Sequence, residues 1–404
     1  MIERSIYIRQ IADFIDKPFV KVLTGIRRSG KSTVMQMICQ QLQRRGVDPN
    51  RVLYINMESF ANASLNNATS FYQYLLANLI RGNRCYVLID EIQEVKEWEK
   101  LINSIAVDFD VDIYITGSNA QLLSSELATY LAGRYIELHI YPLSFEEVLY
   151  FKKEQGLIVS DRYTEFEYYL RMGGFPVLHT ADYSIDSAYK IIYDIYSSVI
   201  LRDTLQRNNI RDIELLERIV RFVFDNIGNR FSGKNVADYF KSQQRKLDIN
   251  TVYNYLKALE SAFIIHRVSR FDVKGKEILK TQEKFYAADS GLLYSVMGLK
   301  DRMIAGIMEN IVFLELKRKG YDVFVGKMDQ LEVDFVATKG NQTIYIQVCY
   351  LLAEESTIKR EFLPLRQIKD NFPKYVVTMD QRWKDQIEGI RHIHIADFLL
   401  EKDF

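Results

Sequence analysis

Four continuous apolar runs punctuate the first third of the chain, and stretches of helical spacing separate them. The runs are "FVKVL" (19–23), "RVLYINME" (51–58), "CYVLIDE" (85–91) and "VDIYITGS" (111–118). Their lack of alternation is the mark of strands buried on both faces. "KSTVMQMICQQLQRRG" (31–46) reads as a helix closed by Gly46, and further helical segments fall at 69–81 and 96–109. Residues 3–16 carry Ile6, Ile8, Ile11, Phe14 and Ile15 at mostly helical spacing, and "GRYIELHIYPLS" (133–144) supplies another strand. This order predicts an α/β doubly wound domain with a parallel sheet over residues 1–145.

After Pro142 the pattern changes. Residues 144–263 are nearly all helical in spacing and rich in Tyr and Arg. Within them, one helix is followed by Ser232 as an N-cap and a second helix through Phe240. A third starts after Asp248 or Asn250, and "AFIIHRVSRFD" and the turn "KGKE" then read as a β-hairpin. Alternation returns near residue 305. A helix at 304–319 precedes "YDVFVG", "LEVDFVAT" and "TIYIQVCY", then a helix near 356–370 and the strand "KYVVTM". The expected division is 1–145, 146–300 and 301–404.

Composition narrows the class. The chain has 404 residues, 48% hydrophobic and 26% charged, with 53 Lys+Arg against 53 Asp+Glu. That is ordinary globular material with no global basic field, so nucleic-acid binding would need a local patch. Cys39, Cys85 and Cys349 are too scattered for a disulfide framework or a thiolate metal cluster. "MIERSIYIRQ" lacks the apolar core of a signal peptide, and no stretch approaches the ~18 apolar residues of a membrane span. A cytoplasmic protein without a membrane partner is expected.

Chemistry enters at "GIRRSGKS", Gly25 to Ser32, which fits G-x-x-x-x-G-K-[ST] between a strand and a helix. Glycines let the backbone wrap a phosphate, and loop and helix-start amides point at the anion. Gly25, Ile26, Arg27, Arg28, Ser29, Gly30, Lys31, Ser32 and Thr33 are the expected nucleotide-binding residues. Lys31 reaches the β- and γ-phosphates, and the Ser32 hydroxyl is a Mg²⁺ ligand. "YVLIDE" ends a strand on two carboxylates; Asp90 is assigned to the metal and Glu91 to polarising the attacking water. In "ITGSN", Ser118 or Asn119 ends the adjacent strand, where the Asn119 amide could touch the γ-phosphate or orient water. Arg134 is a candidate for stabilising transition-state charge, in cis or from a neighbouring subunit, which would require an oligomer.

"GIRRSGKST", "YVLIDEIQ", "YITGSNAQLLSSELATYLAGRY" and "YPLSFEE" together resemble a prokaryotic group of AAA-type P-loop ATPases whose core is followed by a C-terminal region of unknown function. "GGFPVL" (173–178), "SSVILRD" (197–203), "KFYAADSGLL" (284–293) and "GIMENIVFLELKRKGYDVF" (306–324) extend the resemblance over nearly the whole chain. It implies ATP and Mg²⁺ as ligands and ATP hydrolysis as the activity. The preference for adenine rests on the resemblance alone, because the loop grips phosphate and not base.

Three helices and a hairpin over about 212–290 resemble a winged helix, a DNA-binding helix-turn-helix variant. Residues 202–246 hold ten Lys/Arg against six Asp/Glu, a mild excess, and the third helix "INTVYNYLKALES" is not strongly basic. DNA and protein therefore both stand as partners for 212–290 and 301–404. Glu309, Asp334 and "YIQVCY" resemble the restriction-endonuclease-like fold, whose metal site needs an acidic-x-Lys triplet. Here the triplet reads Gln347-Val348-Cys349, and neither end can do that work. A nuclease-like scaffold without nuclease activity is expected, with Glu332 and Asp334 left as weak metal ligands. The function expected is an ATPase that couples nucleotide state to docking on a nucleic-acid or protein partner. The alternative is a nucleotide-locked regulatory or DNA-binding module with negligible turnover.

Overall fold

The computed structural model describes residues 2–80, 82–120, 133–199, 204–205, 210, 212–242, 247–298, 300–381, 386–402 and 404. Residues 121–132 of the "YITGSNAQLLSSELATYLAGRY" motif and 200–203 of "SSVILRD" lie outside them. Two compact units form, one from residues 1–140 with 261–263, the other from 141–260 with 264–404.

The first unit carries α1 (Ser5–Ala12), β1 (Val20–Thr24), α2 (Lys31–Arg44), β2 (Val52–Asn56), α3 (Ala68–Asn78), β3 (Cys85–Asp90), α4 (Trp98–Asp108), β4 (Val111–Thr116) and β5 (Tyr135–His139). The strands make a sheet of order β2-β3-β4-β1-β5, every pair parallel. Successive residues point to opposite faces. Val20, Val22, Val87, Ile89, Ile113 and Ile115 therefore pack with Phe71, Leu75, Trp98 and Ile102 from α3 and α4. Leu23, Tyr86, Leu88 and Tyr114 pack with Ile11, Val34, Ile38 and Leu42 from α1 and α2. The sequence reads 133–144 as one strand, but β5 stops at His139, its partner Thr24 being the last residue of β1. Beyond it Ser144 and Glu147 form a capping box for the next helix.

One ion pair is sealed inside this unit. Lys21 in β1 and Asp112 in β4 bond to each other with side chains 0% and 1% exposed. Asp112 also accepts from the Tyr114 hydroxyl at 2.8 Å and the Asp16 amide at 2.9 Å.

The second unit opens with α5 (Phe145–Glu154), α6 (Arg162–Met172) and α7 (Ile185–Ser198). Next come α8 (Ile213–Asp225), α9 (Gly233–Ser242), α10 (Ile249–Ser261), β6 (Ile265–Asp272), β7 (Glu277–Ala287), α11 (Ser290–Met297) and α12 (Ile304–Arg318). It closes with β8 (Asp322–Met328), β9 (Leu331–Lys339), β10 (Gln342–Val348), α13 (Glu355–Gln367), β11 (Lys374–Thr378), β12 (Gln386–Ile387), β13 (Ile390–His394) and α14 (Ile395–Leu400). The described strands form one sheet of order β12-β13-β11-β10-β9-β8-β6-β7.

That order removes the expected boundary at residue 300. β6 of the hairpin pairs in parallel with β8 at Arg270–Asp272, so the hairpin and the C-terminal strands share a ladder. Lys274, in the hairpin turn, bonds Asp329 in the β8–β9 turn, and the Val273 amide donates to Lys327. A sheet edge covered this way is not a free wing.

Two of the resemblance motifs meet here. Buried Asp289 of "ADSGLL" accepts from the Gly174 amide of "GGFPVL" at 2.6 Å and from Gly291 at 2.8 Å, capping α11. Burial pushes its carboxyl up to about 7.

Lys21→Met strands the Asp112 charge and is expected to cost about 3–5 kcal/mol. Lys21→Met with Asp112→Asn removes both charges, keeps an acceptor for Tyr114, and is expected to regain most of that loss. Denaturant unfolding followed by circular dichroism checks the pair; a double variant no more stable than the single one contradicts the account.

Candidate nucleotide site

The site is built at the carboxyl ends of the parallel strands, where loops and helix starts converge. β1 ends at Thr24 and the chain turns through residues 25–30 into α2. Gly25 has φ 137°, and a Cβ there would meet the Ile140 carbonyl oxygen at 2.3 Å. Gly30, at φ 99°, precedes the helix with no side-chain cap on its first amides. Uncapped first-turn N–H groups and the helix dipole favour an anion. Among the described residues the buried Ser29 hydroxyl has no hydrogen-bond partner. The Lys31 ammonium lies in the loop, donating to the Gly25 carbonyl at 3.0 Å and the Ile26 carbonyl at 3.2 Å. A loop with no room for a Cβ at Gly25, an unspent buried hydroxyl and a buried ammonium suit a polyphosphate.

The other loop residues are placed unevenly. Ile26 is buried, Ser32 is half-buried and Thr33 is exposed. Arg27 pairs with Glu58 at 2.8 Å, so its charge is partly spent inside the chain. Arg28 is exposed with φ 65°, a left-handed backbone.

β1 is flanked by β4, not by β3, so the acidic pair stands two strands from the loop. At about 4.8 Å per strand this opens a gap of roughly 10 Å. Lys31 reaches across it to 4.0 Å from the Glu91 Oε1. Asp90, fully buried, accepts hydroxyls from Thr116 and, at 2.9 Å, from Tyr54. Burial and the neighbouring Asp90 push the Tyr54 phenol up, so it stays a donor. Thr116 also accepts from the Glu91 amide at 2.9 Å, and Glu91 sits at φ 57°. For a non-glycine residue that backbone costs on the order of 1 kcal/mol or more. The Glu91 carboxylate takes a hydrogen bond from Gln93 and a long one, 3.4 Å, from Ser118. Asn119 is buried just beyond the end of β4.

Lys31, Asp90, Glu91 and the β4 end thus come together, and Arg134 does not join them. Its carbonyl accepts the Val20 amide at 2.9 Å, at the amino end of β1. Five residues at about 3.3 Å put it roughly 16 Å from the loop. A role for Arg134 at this chain's own γ-phosphate is therefore corrected, because parallel pairing carries the start of β5 to the wrong end of the sheet.

Sequence reading missed four contributors. Thr116 and Tyr54 hold Asp90, and Gln93 holds Glu91. Arg4, 2% exposed, donates to the Ser29 carbonyl at 2.9 Å and lies over the Tyr7 ring. A hydroxyl closing "YIT" was a usable signal for Thr116; nothing local marked Arg4, which acts across 25 residues.

In the second unit, Glu309 on α12, Asp334 on β9 and Gln347 on β10 are brought together. Gln347 accepts from the Asp334 amide at 3.3 Å. Cys349 is buried beside them, and burial pushes its thiol up.

Residues 17–149 match the family described as AAA domain, and residues 163–303 match a domain of unknown function (DUF8612). An uncharacterized protein of Haemophilus influenzae is 38% identical over 99% of both chains. The uncharacterized protein MJ1544 of Methanocaldococcus jannaschii is 30% identical over 98% of this chain and 88% of its own. Among solved structures, the Walker-type ATPase paby2304 of Pyrococcus abyssi matches with a TM-score of 0.51 at 17% identity. That match covers 73% of this chain and 96% of the other, and it shows a shared fold. The chain belongs to the same family as these Haemophilus and Methanocaldococcus relatives, and its residues 17–149 carry the AAA-domain match.

Proposed function

We propose that the first unit binds ATP and hydrolyses it, and that nucleotide state governs how the second unit engages a nucleic-acid or protein partner. The observation that carries the reading is the meeting of Lys31, Asp90 and Glu91 at one end of a sheet, where α2 begins with no side-chain cap. Gly25 to Thr33 hold the phosphates, and Lys31 neutralises the β- and γ-oxygens. Ser32 and Asp90 would hold Mg²⁺, which would supply further charge neutralisation. Glu91 accepts a proton from the attacking water as its oxygen bonds to the γ-phosphorus. The bond to the β–γ bridging oxygen breaks, and ADP leaves with that electron pair. Asn119 is assigned to orienting the water or the γ-phosphate. Arg134 could act only on another copy's nucleotide, which makes assembly a condition of that role.

In the second unit, α8, α9 and α10 followed by the β6–β7 hairpin support a winged-helix reading. The helix, three strands, helix and strand from α12 to β11 support a nuclease-like one. Ile249 and Tyr253 on α10 are 43% and 39% exposed, and the Tyr253 hydroxyl accepts the Gly233 amide of α9 at 3.3 Å.

Phosphate release with Mg²⁺ tests the hydrolysis. Glu91→Gln is expected to lower kcat about 100-fold or more while ATP still binds, and Lys31→Ala is expected to abolish binding in calorimetry. Tightly held ADP with no release would select the nucleotide-locked alternative. Stimulation of turnover by DNA, RNA or peptide identifies the partner class.

Thr116→Val keeps the side chain's shape but removes the hydroxyl shared by Asp90 and the Glu91 amide. The expected cost is about 1–3 kcal/mol of stability together with a lower kcat. Thermal unfolding and steady-state kinetics read the two effects. A variant wild-type in both shows that the hydroxyl positions nothing.

A further inference from the structure

A lysine lies where the carboxylates of the second unit converge. Lys284 of β7 is 2% exposed. Its ammonium is 3.0 Å from Glu332 Oε1, 3.2 Å from Glu309 Oε2 and 3.5 Å from Asp334 Oδ1. An ammonium has three donors, and each faces one acid. Glu332 and Asp334, two apart on β9, share a face, and Glu309 comes from α12.

Every acid is also held from a second side. The Tyr286 hydroxyl donates to Glu309 at 3.1 Å, the Val348 amide to Asp334 at 2.9 Å, and Arg230 pairs with Glu332 at 2.6 Å. Gln347, at the place where a metal-binding carboxylate would stand, is spent. Its Oε1 accepts the Asp334 amide, and its Nε2 donates to Glu361 at 3.0 Å. The lysine reaches the cluster because the hairpin bends. A β-bulge separates Val268 from Arg270, Gln282 has φ 59°, and the ladder to β8 covers only Arg270–Asp272.

A divalent metal needs several carboxylate oxygens turned onto one point. Here that point holds an ammonium, and among the described residues no group of three or more His, Cys, Asp or Glu is arranged to hold a metal. The residues therefore do not fit the metal of a nuclease-like site, and Glu332 and Asp334 are not left free for a weak one. We infer that the Lys284 ammonium is the resident cation of this cluster, fixing the β6–β7 hairpin to α12 and β9 and excluding a divalent metal. The inference uses the nuclease-like reading only for comparison; the convergence on Lys284 stands on geometry and is independent of ATP hydrolysis. Burial alone would depress the Lys284 ammonium, yet Glu309 and the other charges around it hold it well above its ordinary value.

The test uses the full chain without nucleotide and Mn²⁺ as probe, with bound metal read by electron paramagnetic resonance and Tm by calorimetry. Wild type is expected to take up no Mn²⁺ in this cluster, that is, none that Asp334→Asn removes. Lys284→Ala is expected to lose about 10 °C in EDTA, to bind one Mn²⁺ and to recover Tm with it. Should Lys284→Ala fail to fold, Lys284→Met with Glu309→Gln and Asp334→Asn decides the matter. This neutral cluster is expected to fold and ignore Mn²⁺, and its failure to fold overturns the inference. Wild-type Mn²⁺ uptake lost in Asp334→Asn, or Mn²⁺-dependent plasmid nicking lost in that variant, also overturns it. So does a folded Lys284→Ala that neither loses stability nor binds metal.

Discussion

The interposition of β4 between β1 and β3 is the constraint on which the nucleotide site depends. Were β1 paired directly with β3, Lys31 and the acidic pair would crowd one another in a single cleft. With one strand between them, Lys31 stands 4.0 Å from Glu91 at the far side of the gap, and β4 lends its last hydroxyl to fill it. Thr116 then serves both neighbours, donating to Asp90 and accepting from the Glu91 backbone. The acidic pair is held by a residue that belongs to neither motif.

The same logic runs through the second unit with the signs reversed. There the hairpin delivers one cation into three carboxylates, and the compensation is internal to the chain. A buried ion set of this kind is weak evidence for extra stability, because desolvation offsets much of its attraction. Its consequence is geometric. The end of β7 is held against α12, where Asn310 clamps the Ala287 amide and carbonyl at 2.6 and 3.0 Å.

How legible was this in the chain? The first unit's strands announced themselves because each is a short apolar run buried on both faces, and the loop motif lies between a strand and a helix as its chemistry requires. Strand ends were less legible: "GRYIELHIYPLS" stays apolar past His139, but its partner strand has run out there. The hairpin and the C-terminal strands read as separate modules because alternation says which face is buried and nothing about which strand lies alongside.

Amino-acid order alone determined the local chemistry: the glycine-lined anion loop, the ammonium at 31, the carboxylates at 90 and 91, and the Gln-Val-Cys triplet at 347–349 with neither an acid nor a lysine. Those follow from residue type and spacing within a single turn or strand. Tertiary structure decided what lies opposite what. It sent Arg134 to the far end of the sheet, recruited Arg4 and Thr116 to the loop and its acids, and carried Lys284 across to Asp334, fifty residues later in the chain. Such pairings depend on strand order and on the bend of a hairpin, which arise from packing over the whole unit and leave no periodic trace in the segments they join.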